Sequence, residues 1–306
     1  MGKAVRIGIV GLGKIARDQH LPAIEASGSF ALVATASPDG GIGKVPAYAS
    51  LGEMIANGSL DAVAICTPPS VRHALACEAV AAGLHVMLEK PPAATLSEAQ
   101  DIASRAARRG VTLFAAWHSR HAAGVARARA WLAGREIRSV AIAWKEDIRR
   151  WHPGQEWILG PGGFGVFDPA INALSILTEI VPGAIIVEQA VLTTPHGRSA
   201  PLAATVAMRL ANGAPVRADL DFLQTGPQSW TIAVETDGRT LILADGGARL
   251  ILDGEEAGEN REYPGLYARF AELIAAGASD MDLRPLQLVA DTYLVADQRI
   301  GEPFHF

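Results

Sequence analysis

The chain has 306 residues, of which 49% are hydrophobic and 19% charged, and a formal net charge of -5. That balance fits a globular protein of two domains, at roughly 150 residues each, and excludes a disordered chain. No block of lysines or arginines stands out, which argues against a nucleic-acid partner or an anionic membrane surface. The two cysteines, Cys66 and Cys77, have neither disulfide-scaffold nor metal-ligand spacing. They read as buried free thiols and fit a reducing, cytoplasmic compartment.

The first 116 residues alternate strand and helix. Apolar runs occur at Val5–Val10, Ala31–Thr35, Ala62–Cys66, His85–Leu88 and Thr112–Ala116. Helical stretches lie between them, near Ile15–Ser27, Leu51–Asn57, Val71–Ala82 and Ser97–Arg109. Strands with almost no polar alternation are buried on both faces, as a parallel sheet requires. The expectation is a doubly wound Rossmann sheet over residues 1–120. Met1–Val10 is too short an apolar run for a signal peptide and carries Arg6.

The pattern changes near residue 120. A helix at Ala122–Ala133 precedes a strand-like run, Ile137–Asp147, and a glycine-rich loop, Gly160–Gly165, precedes another helix. The apolar segment Ala170–Val187 is interrupted by Asn172, Glu179 and Pro182 and reads as core helix then strand, not a membrane span. Five β-type runs follow: Ile185–Thr194, Ala204–Arg209, Val216–Phe222, Ser229–Glu235 and Thr240–Leu243. Turn signals such as Asn212-Gly213 and Asp237-Gly238 separate them. Helices near Tyr267–Ala275 and Arg284–Asp297 close the chain. Residues 121–306 are thus expected to be α+β, one large open antiparallel sheet with helices on one face, binding substrate and mediating oligomerisation.

Three motifs carry chemistry. Gly11-Leu12-Gly13-Lys14-Ile15-Ala16 is a G-x-G-x-x-A between the first strand and helix. Gly11 permits the tight turn, Gly13 lets a pyrophosphate approach the backbone, and Ala16 lets helix and strand pack closely. Gly11, Gly13, Lys14 and Ile15 are therefore candidate contacts to NAD or NADP. The place of the usual ribose-binding acid falls to Ser37, which either contacts the ribose or serves only the turn, and excludes neither cofactor. Second, Thr67-Pro68-Pro69 and Glu89-Lys90-Pro91 follow the third and fourth strands, at the end of the sheet where such folds bind ligands. The Lys90 ammonium can donate to a substrate hydroxyl and lower its pKa. His20 and His73 read as packing or bonding near the cofactor.

Third, Asp168 and Asn172 are four residues apart and share a helix face, where a carboxylate and an amide can grip neighbouring hydroxyls. Asp168-Pro169 also reads as a helix cap followed by a first-turn proline. His152 reads as a loop ligand or a surface residue, and Glu146 as a ligand or a strand-end charge. No metal is implied by these spacings.

These motifs, in this order and spacing, resemble the Gfo/Idh/MocA family of sugar oxidoreductases over the whole chain. The resemblance makes Lys90 the family's E-K-P lysine and maps its G-G-x-x-x-x-D-x-x-x-H signature onto Gly162–Asn172, with Asn172 in place of the final histidine. Asparagine cannot act as a general base, which leaves Asp168 as the better candidate. Aspartate with asparagine four on, and Glu-Lys-Pro-Pro, are similar to a narrower group in the family, which oxidises D-galactose or L-arabinose at C1. That resemblance implies substrate contacts from Lys90, Glu146, His152, Asp168 and Asn172 with His118 nearby, while Ser37, Thr67, Pro68, Pro69, His73, Glu89 and Lys90 are, by their place at the ends of the strands, further candidate cofactor contacts. It implies NAD(P)-dependent oxidation of an aldopyranose (D-galactose, L-arabinose or D-fucose) to the lactone, in a cleft between the domains of a homodimer. Other sugar or inositol dehydrogenases of the family, and a non-enzymatic nucleotide sensor, are the alternative functions.

Overall fold

The computed structural model describes residues 3–42, 44–252, 255–258 and 261–306. Met1 and Gly2, which head the run read above as no signal peptide, lie outside them. The chain divides into two compact units, Met1–His118 with Glu262–Leu283, and Ser119–Arg261 with Arg284–Phe306.

The first unit is built on six parallel strands: β1 (Val5–Val10), β2 (Phe30–Ala36), β3 (Ala47–Tyr48), β4 (Ala62–Ile65), β5 (His85–Glu89) and β6 (Leu113–Ala116). Their order is β3-β2-β1-β4-β5-β6. All four residues of β4 and of β6 are buried, as sequence without polar alternation requires. A π turn, Ala16–His20, runs into α1 (Leu21–Ala26), and α2 (Leu51–Asn57), α3 (Pro69–Ala81) and α4 (Leu96–Arg109) make the other crossovers. Thr95 caps α4 by accepting from the Glu98 amide at 3.2 Å, and Gly110 ends it at φ 71°. Strand order reverses between β1 and β4, so the carboxyl ends of these strands mark the ligand-binding end of the sheet.

In the second unit, α5 (Val125–Leu132), α6 (Ile148–Trp151) and α7 (Phe167–Ile180) accompany a nine-stranded sheet. Its strands up to the second crossover are β7 (Ile137–Lys145), β8 (Ile185–Pro195), β9 (Ala203–Leu210), β10 (Pro215–Asp221), β11 (Ser229–Thr236), β12 (Thr240–Ala244), β13 (Arg249–Ile251) and β14 (Glu255–Ala257). The chain then returns to the first unit as α8 (Glu262–Ala276) and ends in the second as α9 (Arg284–Val295) and β15 (Ala296–Gly301). The order is β14-β13-β12-β11-β7-β10-β9-β8-β15. Burial alternates along β9 and β10, so one face is covered and the other faces solvent.

Two expectations need correction. The sheet is mixed, not antiparallel throughout: β10 pairs with β7, and β15 with β8, in parallel. Both pairs join strands distant in sequence, whose direction turn chemistry does not reveal. Residues 262–283, grouped by sequence order with the second domain, pack in the first unit. There Tyr263, Leu266, Tyr267, Phe270 and Leu273 complete a core with Ile7, Ile9, Phe30 and Phe114.

Candidate active site

The phosphate-type turn follows β1 directly. Gly11 has φ 86°, a left-handed conformation that favours glycine, and a Cβ there would meet the Thr67 methyl at 2.9 Å. At Gly13 an added Cβ would meet nothing within 4 Å, so the backbone borders open space before the helix. Arg17 Nε donates to the Leu12 carbonyl at 2.9 Å and ties the helix to the turn. The Thr67 hydroxyl oxygen, at the end of β4, is buried without a hydrogen-bond partner. An open glycine backbone and an orphaned hydroxyl suit a dinucleotide, whose phosphates and ribose need N–H and O–H donors. Lys14 is instead paired with Asp18 one turn on. Ser37 is buried, and its hydroxyl accepts from the Asp39 amide at 3.4 Å, the geometry of a turn residue.

Lys90 sits on a turn fastened from below. Glu89 is 3% exposed, and its carboxylate accepts from the Lys90 amide at 2.8 Å and from the Tyr263 hydroxyl at 2.8 Å. His20 Nε2 lies 3.0 Å from the same carboxylate, and its Nδ1 lies 2.8 Å from the Tyr267 hydroxyl. Burial pushes the Glu89 carboxyl up, but the bond from His20 and the charges of His20, His118 and Lys90 outweigh it and hold the pKa at about 2. Burial likewise opposes charge on His20, yet contacts with Cys66, Tyr267 and Glu89 raise its pKa well above the ordinary value. Arg72, 2% exposed, donates to the carbonyls of Thr67, Glu89 and Pro91, bracing the turns after β4 and β5 together. His118 Nδ1 is 3.1 Å from Glu262, and its ring stacks on Tyr263 at 5.3 Å between centroids.

In the second unit the glycine loop sets the start of α7. Gly165 has φ 53°, and a Cβ there would lie 2.2 Å from the Pro201 carbonyl oxygen. The Val166 amide donates to that same oxygen at 2.7 Å. Val166 is the cap residue, so Asp168 stands inside the first turn of α7 and is not its cap. Asp168 is 4% exposed, and its carboxylate lies 3.5 Å from His152 Nε2. Asn172 follows one turn on, partly exposed. Glu146, at the end of β7, is buried and accepts from Trp230 Nε1 at 2.7 Å. Trp230 meets Trp151 edge-on at 5.6 Å, and the His152 ring meets Phe222 at 5.6 Å.

Within each unit, then, the anticipated residues fall into groups. Gly11, Gly13, Lys14 and Ile15 cluster with Thr67, Pro68 and Pro69, and Glu89 and Lys90 with His118 through Tyr263. Glu146 meets Trp230, which meets Trp151, and His152 meets Asp168, with Asn172 one helical turn beyond. His73 stands apart from its motif: it lies inside α3 with its ring 2.9 Å from Asp101 on α4. Its Nε2, Cys77 Sγ and an Asp101 oxygen lie within 4.8 Å of one another, and Asp101 also accepts from Arg105 at 2.7 Å. Cys66 and Cys77 are free thiols, partly buried. Arg72, Tyr263 and Trp230 were not legible as site residues, because their partners lie 17, 174 and 84 residues away in sequence.

Residues 5–117 match the Gfo/Idh/MocA oxidoreductase family, described by its NAD-binding Rossmann fold. The chain is 44% identical to a galactose 1-dehydrogenase of Pseudomonas fluorescens over 304 residues, 98% of this chain and 99% of that one. A solved D-galactose-1-dehydrogenase structure from Rhizobium etli superposes with a TM-score of 0.96 at 49% identity, covering 100% of this chain and 99% of that one. The 3-ketoreductase KijD10 of Actinomadura kijaniata, solved with NADP, shares the fold at a TM-score of 0.82 and 18% identity over 98% of this chain and 100% of that one. The chain belongs to the Gfo/Idh/MocA oxidoreductase family. It is an NAD(P)-dependent oxidoreductase.

Proposed function

We propose that this protein oxidises an aldopyranose, D-galactose first among them, at C1 to the lactone, with NAD or NADP as acceptor. Full-length likeness to two galactose 1-dehydrogenases supports the substrate. The observation that carries the chemistry is Asp168, a buried carboxylate beside His152 that is not spent on capping α7.

Gly11–Ile15, Ser37 and Thr67–Pro69 would hold the dinucleotide. When bound, its nicotinamide accepts the C1 hydrogen as hydride. Asp168 takes the O1 proton, directly or by relay through Lys90, as the C1–O1 double bond forms. The Lys90 ammonium donates to O1 and stabilises the negative charge that develops there. Asn172, Glu146, His152 and His118 orient the ring hydroxyls; the Trp230 indole fixes Glu146 for that task.

The proposal includes a homodimer in the cytoplasm. Exposed Ile300 on the edge strand β15, Ile186 on β8 and Leu294 and Val295 at the end of α9 support self-association. The free thiols Cys66 and Cys77 suit a reducing compartment. Among the described residues no helix is long and apolar enough to cross a membrane. The test is cofactor reduction with D-galactose, L-arabinose, D-fucose, D-glucose and myo-inositol, with the product identified by NMR. Galactose turnover to the lactone is expected; turnover of inositol alone, or of none, would overturn the reading.

A further inference from the structure

We propose that Tyr263 is a positioning residue that couples the turn carrying Lys90 to the ring of His118. The inference rests on the sugar oxidation proposed above for its kinetic readout only. Tyr263 is 3% exposed and comes from α8, the segment that leaves the second sheet to return to the first unit. Its hydroxyl donates to Glu89 Oε1 at 2.8 Å, while Glu89 Oε2 accepts from the Lys90 amide at 2.8 Å. One carboxylate thus links the tyrosine to the backbone of the lysine. The tyrosine ring lies almost parallel to His118, 19° between planes, and the neighbouring Glu262 carboxylate holds His118 Nδ1 at 3.1 Å. His20 closes the arrangement, edge-on to Tyr263 at 5.0 Å and 3.0 Å from the same Glu89 oxygen.

A buried tyrosine needs only one acceptor to satisfy its hydroxyl. Tyr263 does more: its hydroxyl fixes one substrate-directed group and its face fixes the other. Hydrogen bonds to an ionised, buried carboxylate are about twice as strong as neutral ones, so losing this one loosens the Glu89 end of the Lys90 turn while Arg72 still braces its carbonyls. A displacement of about 1 Å at a reacting group costs on the order of 10²-fold in rate.

The experiment compares wild type, Y263F and Y263L. It reads kcat and KM for D-galactose, and the acetylation rate of Lys90 against that of Lys145 by mass spectrometry. Y263F keeps the ring and loses the hydroxyl. We expect it to fold, to lose about ten-fold in kcat with KM within about two-fold, and to acetylate Lys90 several-fold faster. Y263L also removes the stack under His118 and should raise KM several-fold in addition. A Y263F protein of lowered thermal stability whose kcat and Lys90 acetylation match wild type would overturn the proposal. If wild type oxidises no sugar, the proposed function fails, and the acetylation of Lys90 alone decides on Tyr263.

Discussion

Asp168-Pro169 supports two readings in sequence, a helix cap and an acid in a catalytic first turn, because both need a carboxylate just ahead of a helix. The structure removes the first: Val166 holds the cap position, two residues before Asp168. An acid in the first turn interacts favourably with the helix dipole, worth about 0.3–1 kcal/mol, which offsets part of the cost of burying its carboxylate. At Ser37 the two readings are compatible: its hydroxyl accepts from the Asp39 amide in the turn, and a hydroxyl that accepts there can still donate to a ribose oxygen. Lys90 was legible because its motif follows a buried strand, whereas the Glu89 carboxylate beneath it acquires meaning only from Tyr263 and His20. Replacing Lys90 by Met keeps bulk and removes the charge. It should lower kcat by about 10²-fold or more while the dissociation constant of the cofactor, measured by fluorescence titration, changes little.

Elements with a strong period were legible, and elements defined by partners were not. Five of the six strands of the first unit stand out as unbroken apolar runs, and four of its helices as the stretches between. Strand β3 has two residues and β13 three, too short for any period to register. The last helix was expected to run to Asp297, but α9 stops at Val295 and the chain turns extended at Ala296 to pair with β8. Pairing with a neighbouring strand outweighs local helix propensity there. The loop before α7 makes the sharpest demand on sequence. Gly165→Ala would place a Cβ 2.2 Å from the Pro201 carbonyl at a φ of 53°. Left-handed strain costs about 1–2 kcal/mol and the clash adds to it, so the melting temperature should fall by about 4–8 °C. Because the same loop sets the start of α7, kcat should fall with it, and calorimetry beside a rate assay checks both.

Across the whole molecule, chain order and spatial grouping part company at α8. Its amphipathic pattern announces a helix but not which core it serves, and that core contains Glu89 and His20. Their pairing makes stability depend on pH in a signed way. Glu89 titrates at about 2, below its ordinary 4.5, so its contribution is present above about pH 4.5 and is lost as pH falls toward 2. His20 titrates above its ordinary 6.5, so its contribution is full below that value and is lost as pH rises through its folded pKa. Thermal stability should therefore peak between about pH 4.5 and 6.5, and Glu89→Gln should flatten the acid limb of the curve read by scanning calorimetry.

The most direct test of sugar oxidation by Asp168 is kcat for wild type and Asp168→Asn with D-galactose, beside their melting temperatures. The expected mutant is folded and loses about 10²–10⁴-fold in kcat, because an amide cannot accept the O1 proton. A stable Asp168→Asn protein with wild-type kcat would contradict it.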